Sequence, residues 1–203
     1  PPAVPAIVKG PYLQVGTQSS MVVRWQTTVA TDSKVMYGTN AASLSSVATN
    51  SVSSVTHTVQ LSGLSPYTKY YYNIGSSTLI TQGDTNNYFL TSPIPGTPGK
   101  YRFWMVGDCG NASSNQVNCK NQYKIYNGNA ITNGMLLSGD NAYSSGTDAE
   151  FNAEFFGIYQ NDVLKNMPLW PAPGNHDYNN GASTATTVPY FNHFTTPKNG
   201  EAG

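Results

Sequence analysis

Charge is scarce in this chain. Only 10% of its 203 residues are charged, and 10 basic side chains balance 10 acidic ones. A chain without net charge is poorly suited to bind nucleic acid or an anionic membrane surface, so we expect neither partner. Long apolar runs are lacking too, because no stretch reaches the roughly 18 residues that a membrane span requires.

Uncharged polar residues take the place of the missing charges. Asn, Ser, Thr, Gly and Tyr are abundant, which is more usual outside cells than in the cytosol. The chain opens Pro-Pro-Ala-Val-Pro, with neither the basic start nor the apolar segment of a signal peptide, and we expect such a peptide to have been removed. The composition therefore predicts a secreted protein, either extracellular or periplasmic.

Cysteine is nearly absent as well. Cys109 and Cys119 lie in one predicted loop, and their spacing would allow a disulfide that closes a small loop. An exported protein favours this bond, and we expect it to form. The alternative is two unpaired thiols, with Cys109 small and buried. A thiolate metal ligand at Cys109 is disfavoured because its neighbours are hard oxygen donors.

The first 92 residues have the pattern of an all-β module. Met21, Val23 and Trp25 alternate with more polar positions, as expected for a strand with one side facing a core. Turns rich in Ser, Gly and Asn separate the strand candidates at the spacing of a β-sandwich. These candidates are residues 21–26, 34–38, 57–61, 69–74 and 87–91.

A connector and two helices are predicted further along. Residues 93–100 are rich in proline and glycine, which indicates an ordered linker without helix or strand. A helix is expected at roughly 116–128. A second begins at the capping-box pair Thr147 and Glu150, and its residues at four-residue intervals predict a stripe that packs in the core. The stripe consists of Phe151, Phe155, Tyr159 and Val163.

The residues from 101 onward contain three short apolar segments that each end in a polar side chain. FWMVGD ends at Asp108, MLLSGDNAY carries Asp140 and Tyr143, and LWPAPGNHD carries Asn175 and His176. The intervals of 32 and 35 positions are close to the roughly 30 residues that a strand, helix and strand unit occupies. Right-handed crossovers would bring the three strand ends to one edge of a parallel sheet. The pattern predicts a two-metal hydrolytic site there.

These motifs resemble those of the metallophosphoesterase superfamily and, within it, the purple acid phosphatases. The resemblance covers most of residues 101–178. It implies that Asp108 binds one metal, Asp140 bridges two, Tyr143 binds a ferric ion and Asn175 binds the second metal. His176 would act as the catalytic residue that protonates the leaving group or holds the phosphate.

The implied cofactor is a dinuclear centre of Fe(III) with Zn, Mn or Fe(II), and the implied substrate is a phosphorylated small molecule. Carboxylate, phenolate and amide oxygens are hard donors that suit such ions. The implied fold is two-domain: an all-β sandwich over residues 1–92, the linker, and the first half of an α/β (αββα) metallophosphoesterase domain over residues 101–203.

The sandwich also resembles a known family. Leu64, Pro66, Thr68 and Tyr70 stand in the order usual for fibronectin type III domains, and Tyr70 is a candidate for the tyrosine corner. Plant and bacterial purple acid phosphatases commonly carry such a domain before the catalytic one.

One departure from the family bears on activity. The superfamily pattern continues with a later histidine and a GHxH motif, which complete both coordination spheres. This chain has only His57, His176 and His193, and none of them lies in such a context. The resemblance therefore implies that the rest of the catalytic domain follows Gly203, and that this chain alone has weak or absent activity. The sequence does not indicate an oligomeric state.

Three functions stay open. The first is hydrolysis of phosphate monoesters, and the second is hydrolysis of a phosphodiester, nucleotide or pyrophosphate at the same metals. The third is a non-catalytic secreted binding module.

Among the other polar residues, His57 is expected to be structural, and His193 is expected to pack rather than border a substrate cleft. Asp177 either orients His176 or caps a turn.

Overall fold

A computed structural model of the chain describes residues 4–181 and 184–198. Residues 1–3 and 199–203, where the two predicted domains begin and end, lie outside the described residues. The chain forms an all-β sandwich followed by part of an α/β domain. The strands of the described residues are β1 Ile7–Gln14, β2 Ser20–Gly38, β3 Ser46–Ser62, β4 Lys69–Gly75, β5 Ile80–Gln82, β6 Tyr88–Leu90, β7 Phe103–Val106, β8 Gly134–Ser138 and β9 Leu169–Ala172.

The helices belong to the second part. Helix α1 spans Ser114–Asn127 and lies between β7 and β8. A continuous helical run over 148–164, here called the mixed helix, lies between β8 and β9. A 3-10 turn at His176–Tyr178 and a short helix at Pro189–His193 follow β9. No helix of the described residues is both long and apolar enough to cross a membrane.

The sandwich has the alternating core that the sequence predicts. Met21, Val23 and Trp25 are at most 1% exposed and lie in one apolar cluster. The other side of β2 is covered as well, because the Arg24 guanidinium donates to the Asn192 carbonyl at 2.6 Å. β2 is thus buried on both faces near its start, since the second part of the chain packs against it.

Two strands that the sequence predicts separately form one continuous strand in the structure. Residues 21–26 and 34–38 both lie in β2, whose register with β3 shifts between Gln26 and Ser33. The first half of β2 pairs with β1 and the second half with β4, so one long strand serves both layers of the sandwich. The tyrosine corner is present, because the hydroxyl of Tyr70 accepts a hydrogen bond from the Ser65 amide at 3.0 Å.

The second part is a parallel α/β unit. Strands β7, β8 and β9 pair in parallel in that order, and each crossover carries a helix. α1 is close to the predicted 116–128. The capping box at the start of the mixed helix is also present, with Thr147 Oγ1 accepting from the Glu150 amide.

The mixed helix explains the four-residue stripe. All four stripe residues are at most 2% exposed. A four-residue repeat would drift around a regular α-helix of 3.6 residues per turn. Here α-helical pieces alternate with π-helical pieces, whose i→i+5 bonds widen the turn and keep the stripe on the buried face. The pieces are Asp148–Glu150, Phe151–Phe156, Gly157–Tyr159 and Gln160–Leu164.

The two parts share one hydrogen-bonded sheet. β1 of the sandwich pairs in parallel with β9 through Gln14 and Leu169. Tyr12, also on β1, is 2% exposed and belongs to the core of the α/β part. Residues 93–100 form neither helix nor strand and are mostly exposed. Contact between the two parts therefore runs through β1 and its neighbours β2 and β4, where Arg24 donates to Asn192 and Tyr72 donates to Lys165, rather than through this connector.

Candidate metal centre

The loops after β7 and β8 present the two aspartates. Asp108 and Asp140 each follow their strand by two residues and have positive φ angles of 50° and 52°. Asp tolerates this left-handed conformation better than most residues. The Asp108 amide donates to the Gly139 carbonyl at 3.1 Å, which holds the two loops together. The strand ends thus deliver both carboxylates to the same edge of the sheet.

Tyr143 joins the two carboxylates. Its hydroxyl lies 2.7 Å from Asp108 Oδ1 and 3.0 Å from Asp140 Oδ2. Burial raises the pKa of the Tyr143 phenol, and the hydrogen bonds to both carboxylates raise it further. The hydroxyl therefore keeps its proton here, and three oxygen donors converge on one point.

His176 lies beside this cluster. Its backbone amide donates to Asp140 Oδ1 at 3.1 Å, and its ring centroid is 4.6 Å from that of Tyr143. Nδ1 is 2.7 Å from the Ser144 carbonyl oxygen. Because a carbonyl oxygen only accepts, Nδ1 carries the proton of the neutral ring. Nε2 is then the ring atom that can accept a proton.

Asp177 does not orient the His176 ring. Its buried carboxylate accepts from the Asn141 side chain at 2.9 Å, from the Asn141 amide at 3.1 Å and from the Gly174 amide at 2.8 Å. Burial raises the pKa of the Asp177 carboxyl, and these hydrogen bonds oppose that rise. Asp177 thus hydrogen-bonds the loop after β9 to the loop after β8. Of the two roles that the sequence left open, this one resembles capping a turn more than orienting His176.

Asn175 is exposed on the same loop. Its described hydrogen bond runs from Nδ2 to Asn180 Oδ1 at 2.7 Å. This bond fixes Nδ2 as the donor and leaves the amide oxygen as the atom that could bind a metal. The neighbouring backbone approaches Asp140 closely, since a Cβ built on Gly174 would lie 2.1 Å from Asp140 Oδ1.

The donors suit a hard metal ion. Two carboxylates and a phenol converge, and oxygen donors of this kind bind hard cations. They do not make a complete site. Within residues 4–181 and 184–198, no group of three or more His, Cys, Asp or Glu side chains is placed to hold a metal ion.

The predicted disulfide is wrong. Cys109 and Cys119 are both free. Cys109 is 5% exposed and lies in the core of the α/β part, whereas Cys119 is exposed on α1. Because one thiol lies in the interior and the other faces solvent, the loop between them is not closed. Burial raises the pKa of the Cys109 thiol to about 12.

The other two histidines are structural. His57 is fully buried, stacks on Trp25 at 4.7 Å and lies between the hydroxyls of Thr27 and Ser33. His193 is 4% exposed, and its Nδ1 accepts from Lys9 Nζ at 2.8 Å. His193 thus connects the two parts of the chain, which the sequence did not indicate.

Sequence reasoning missed the support of the Tyr143 loop. Glu150 Oε1 accepts from the Ser144 amide at 2.7 Å, and Glu154 Oε2 accepts from the Tyr143 amide at 3.2 Å. The capping-box pattern identified Glu150 as a helix-start residue. It carried no signal that the same carboxylate holds the loop next to the site.

Comparison with known families agrees with this fold. Residues 8–91 match the family described as purple acid phosphatase, N-terminal domain. A sequence search of curated proteins finds no match.

Two solved structures have a similar fold. A purple acid phosphatase from yellow lupin (Lupinus luteus) seeds superposes with a TM-score of 0.68 at 18% identity, covering 97% of this chain and 41% of that one. A PhoD structure gives 0.60 at 13% identity, covering 87% and 40%. The chain thus spans about two fifths of the length of either structure. Residues 8–91 thus match the model of a purple acid phosphatase N-terminal domain, and the chain as a whole is similar in fold to part of the lupin structure.

Proposed function

We propose that this chain is part of a secreted, metal-dependent hydrolase of phosphate monoesters. Asp108, Asp140, Tyr143 and Asn175 would hold a dinuclear metal centre, and His176 would contact the substrate. The observation that carries the proposal is the Tyr143 hydroxyl, which lies within hydrogen-bond distance of both aspartates. The match of residues 8–91 to a purple acid phosphatase domain supports the same conclusion.

The donors support an iron-containing centre. A phenolate is a hard, anionic ligand, and with two carboxylates it balances the charge of a trivalent ion. When bound, such an ion and a divalent partner would polarise the phosphate and activate water. Tyr143 must give up its proton on binding, so metal uptake should release protons and weaken as the solution becomes more acidic.

His176 is the residue proposed to handle the leaving group. Its Nδ1 donates to the Ser144 carbonyl oxygen, with 2.7 Å between the nitrogen and the oxygen. This bond fixes the orientation of the ring before substrate arrives. Nε2 can then carry a proton to the departing alkoxide or hydrogen-bond a phosphate oxygen. Asp108, Asp140 and Tyr143 lie beside this ring and would supply oxygen ligands to the metals.

A spectroscopic test addresses the metal ligands. The protein expressed from its complete coding sequence should bind iron and show a visible tyrosinate-to-Fe(III) absorption band. Tyr143→Phe should lose that band, whereas Tyr126→Phe should keep it, since Tyr126 is 81% exposed and lies outside the cluster. A wild-type protein that binds iron without this band would contradict the assignment of Tyr143.

A kinetic test addresses the substrate class. Hydrolysis of an aryl monophosphate should exceed that of a bis-aryl phosphodiester, and His176→Ala should lower kcat by roughly 10² or more. A preference for the diester would move the assignment to the phosphodiesterase alternative. Absence of both activities, together with absence of bound metal, would leave a non-catalytic module.

A further inference from the structure

The Glu150 carboxylate accepts several hydrogen bonds from the loop that follows Tyr143. Glu150 Oε1 accepts from the Ser144 amide at 2.7 Å, and Oε2 accepts from the amides of Ser145 and Thr147 at 3.2 and 2.8 Å. The Thr147 hydroxyl also donates to Oε2 at 2.9 Å. The loop 144–147 is therefore held from within by a single side chain on the mixed helix.

Ser144 connects this arrangement to the candidate site. Its amide donates to Glu150, and its carbonyl accepts the Nδ1 proton of His176 at 2.7 Å. Tyr143 precedes it, and the Tyr143 ring lies 4.6 Å from the His176 ring. The Ser144 carbonyl shares its peptide unit with the Ser145 amide, which also donates to Glu150, so a shift of the Ser144–Ser145 peptide would move the acceptor that fixes the imidazole.

We propose that Glu150 is a positioning residue for His176, acting through Ser144. By holding the amides of Ser144 and Ser145 on either side of the acceptor carbonyl, it keeps the imidazole proton on Nδ1 and leaves Nε2 for the substrate. The catalytic consequence rests on the proposed phosphatase function. The tautomer and orientation of His176 do not depend on that function.

Two substitutions distinguish the positioning role of Glu150 from a role as helix cap alone. Glu150 closes the capping box, with its amide donating to Thr147 Oγ1 at 3.2 Å. Thr147→Ala removes that side-chain half of the box and leaves the Glu150 carboxylate to hold Ser144. Glu150→Ala removes both contacts. If Glu150 serves only as a cap, the two substitutions should affect His176 equally.

The decisive measurement is ¹⁵N NMR of the neutral imidazole rings in the metal-free chain. With only three histidines, assignment is direct. Wild type and Thr147→Ala should show His176 with its proton on Nδ1. Glu150→Ala should raise the ratio of Nε2–H to Nδ1–H about fivefold, the size expected for losing one ordinary hydrogen bond.

Glu150→Gln provides a second test in case Glu150→Ala fails to fold. It preserves side-chain volume and one acceptor, but it places a donor where the backbone amides need the second acceptor. It should remain folded by circular dichroism and shift the His176 tautomer in the same direction as Glu150→Ala. An unchanged tautomer in folded Glu150→Gln, or an equal shift in Thr147→Ala, would overturn the positioning role.

Kinetics on the complete protein separate the two proposals. Glu150→Ala should lower kcat by about tenfold to a hundredfold with little change in KM, because misplacing a reacting group acts on the chemical step. A wild-type protein without phosphatase activity would overturn the proposed function, while the tautomer would still decide the role of Glu150. A shifted tautomer with unchanged kcat would overturn the catalytic consequence.

Discussion

The hydroxyl of Tyr143 lies 2.7 Å from Oδ1 of Asp108, although the two residues are 35 positions apart. The contact joins the loop after β7 to the loop after β8. The phenol is a neutral donor within hydrogen-bond distance of both carboxylates, so it connects them without adding charge. Loss of its proton would turn the same geometry into three anionic oxygen donors, as the proposed metal centre requires.

Removing this hydroxyl should destabilise the metal-free chain. In Tyr143→Phe the two carboxylates lose their shared donor, and we expect the free energy of unfolding to fall by about 1–2 kcal/mol, since hydrogen bonds to charged groups exceed neutral ones. Urea denaturation at neutral pH measures this loss. Tyr126→Phe is the matched control and should change stability little. Equal stability of both variants would contradict the contact.

Gly174 should tolerate no side chain. A Cβ at this position would lie 2.1 Å from Asp140 Oδ1 and 2.3 Å from the Asp140 amide. Gly174→Ala should therefore displace Asp140, lower the free energy of unfolding by about 1–3 kcal/mol and weaken metal binding. Gly157→Ala is the milder comparison, because its Cβ would lie 3.2 Å from the Asn152 carbonyl inside a helix. It should lower the free energy of unfolding much less than Gly174→Ala does, since a small shift relieves this contact.

The contact between the two parts should weaken in acid. Burial and the charge of Lys9 lower the pKa of His193 to about 3, from 6.5 in an unfolded chain. The unfolded state therefore takes up a proton first, and stability falls as the pH drops from about 6.5 to about 3.

Urea denaturation at several pH values tests this dependence. His193→Gln should reduce the slope of the free energy of unfolding by up to about 1.4 kcal/mol per pH unit in that window. His57 also has a pKa lowered by burial, so some slope should persist in the variant. An unaltered slope would show that His193 does not titrate with folding.

The two thiols should differ in reactivity. Cys119 is exposed, whereas Cys109 is buried and its thiol pKa is raised to about 12. A thiol reagent should label Cys119 in the native chain and Cys109 only after unfolding. Mass spectrometry of the labelled peptides reports both sites. Absence of free thiol in the native protein would restore the disulfide that the structure lacks.

Local patterns predicted much of the fold. The alternation of Met21, Val23 and Trp25 and the capping pair Thr147 and Glu150 depend on neighbours within a few residues, so sequence alone indicates them. Long-range pairings such as Lys9 with His193 leave no periodic signal. The disulfide failed for the same reason, because spacing does not reveal that Cys109 turns into the core.

The proximity of the candidate residues was predicted, but their roles stay predictions. Strand ends and motif spacing indicated that Asp108, Asp140, Tyr143 and His176 lie close together, and the structure brings them together. The support from Glu150 was missed, because a capping residue that also holds a neighbouring loop has the same sequence pattern as one that does not.

The strand β1 has a consequence for how the chain holds together. It hydrogen-bonds to β2 of the sandwich and to β9 of the α/β part, and its Tyr12 hydroxyl donates to the His193 carbonyl at 2.7 Å. A protease that cuts within residues 93–100 would break a covalent connection but none of these contacts. We expect the two fragments to elute as one species from a sizing column and to separate only in denaturant.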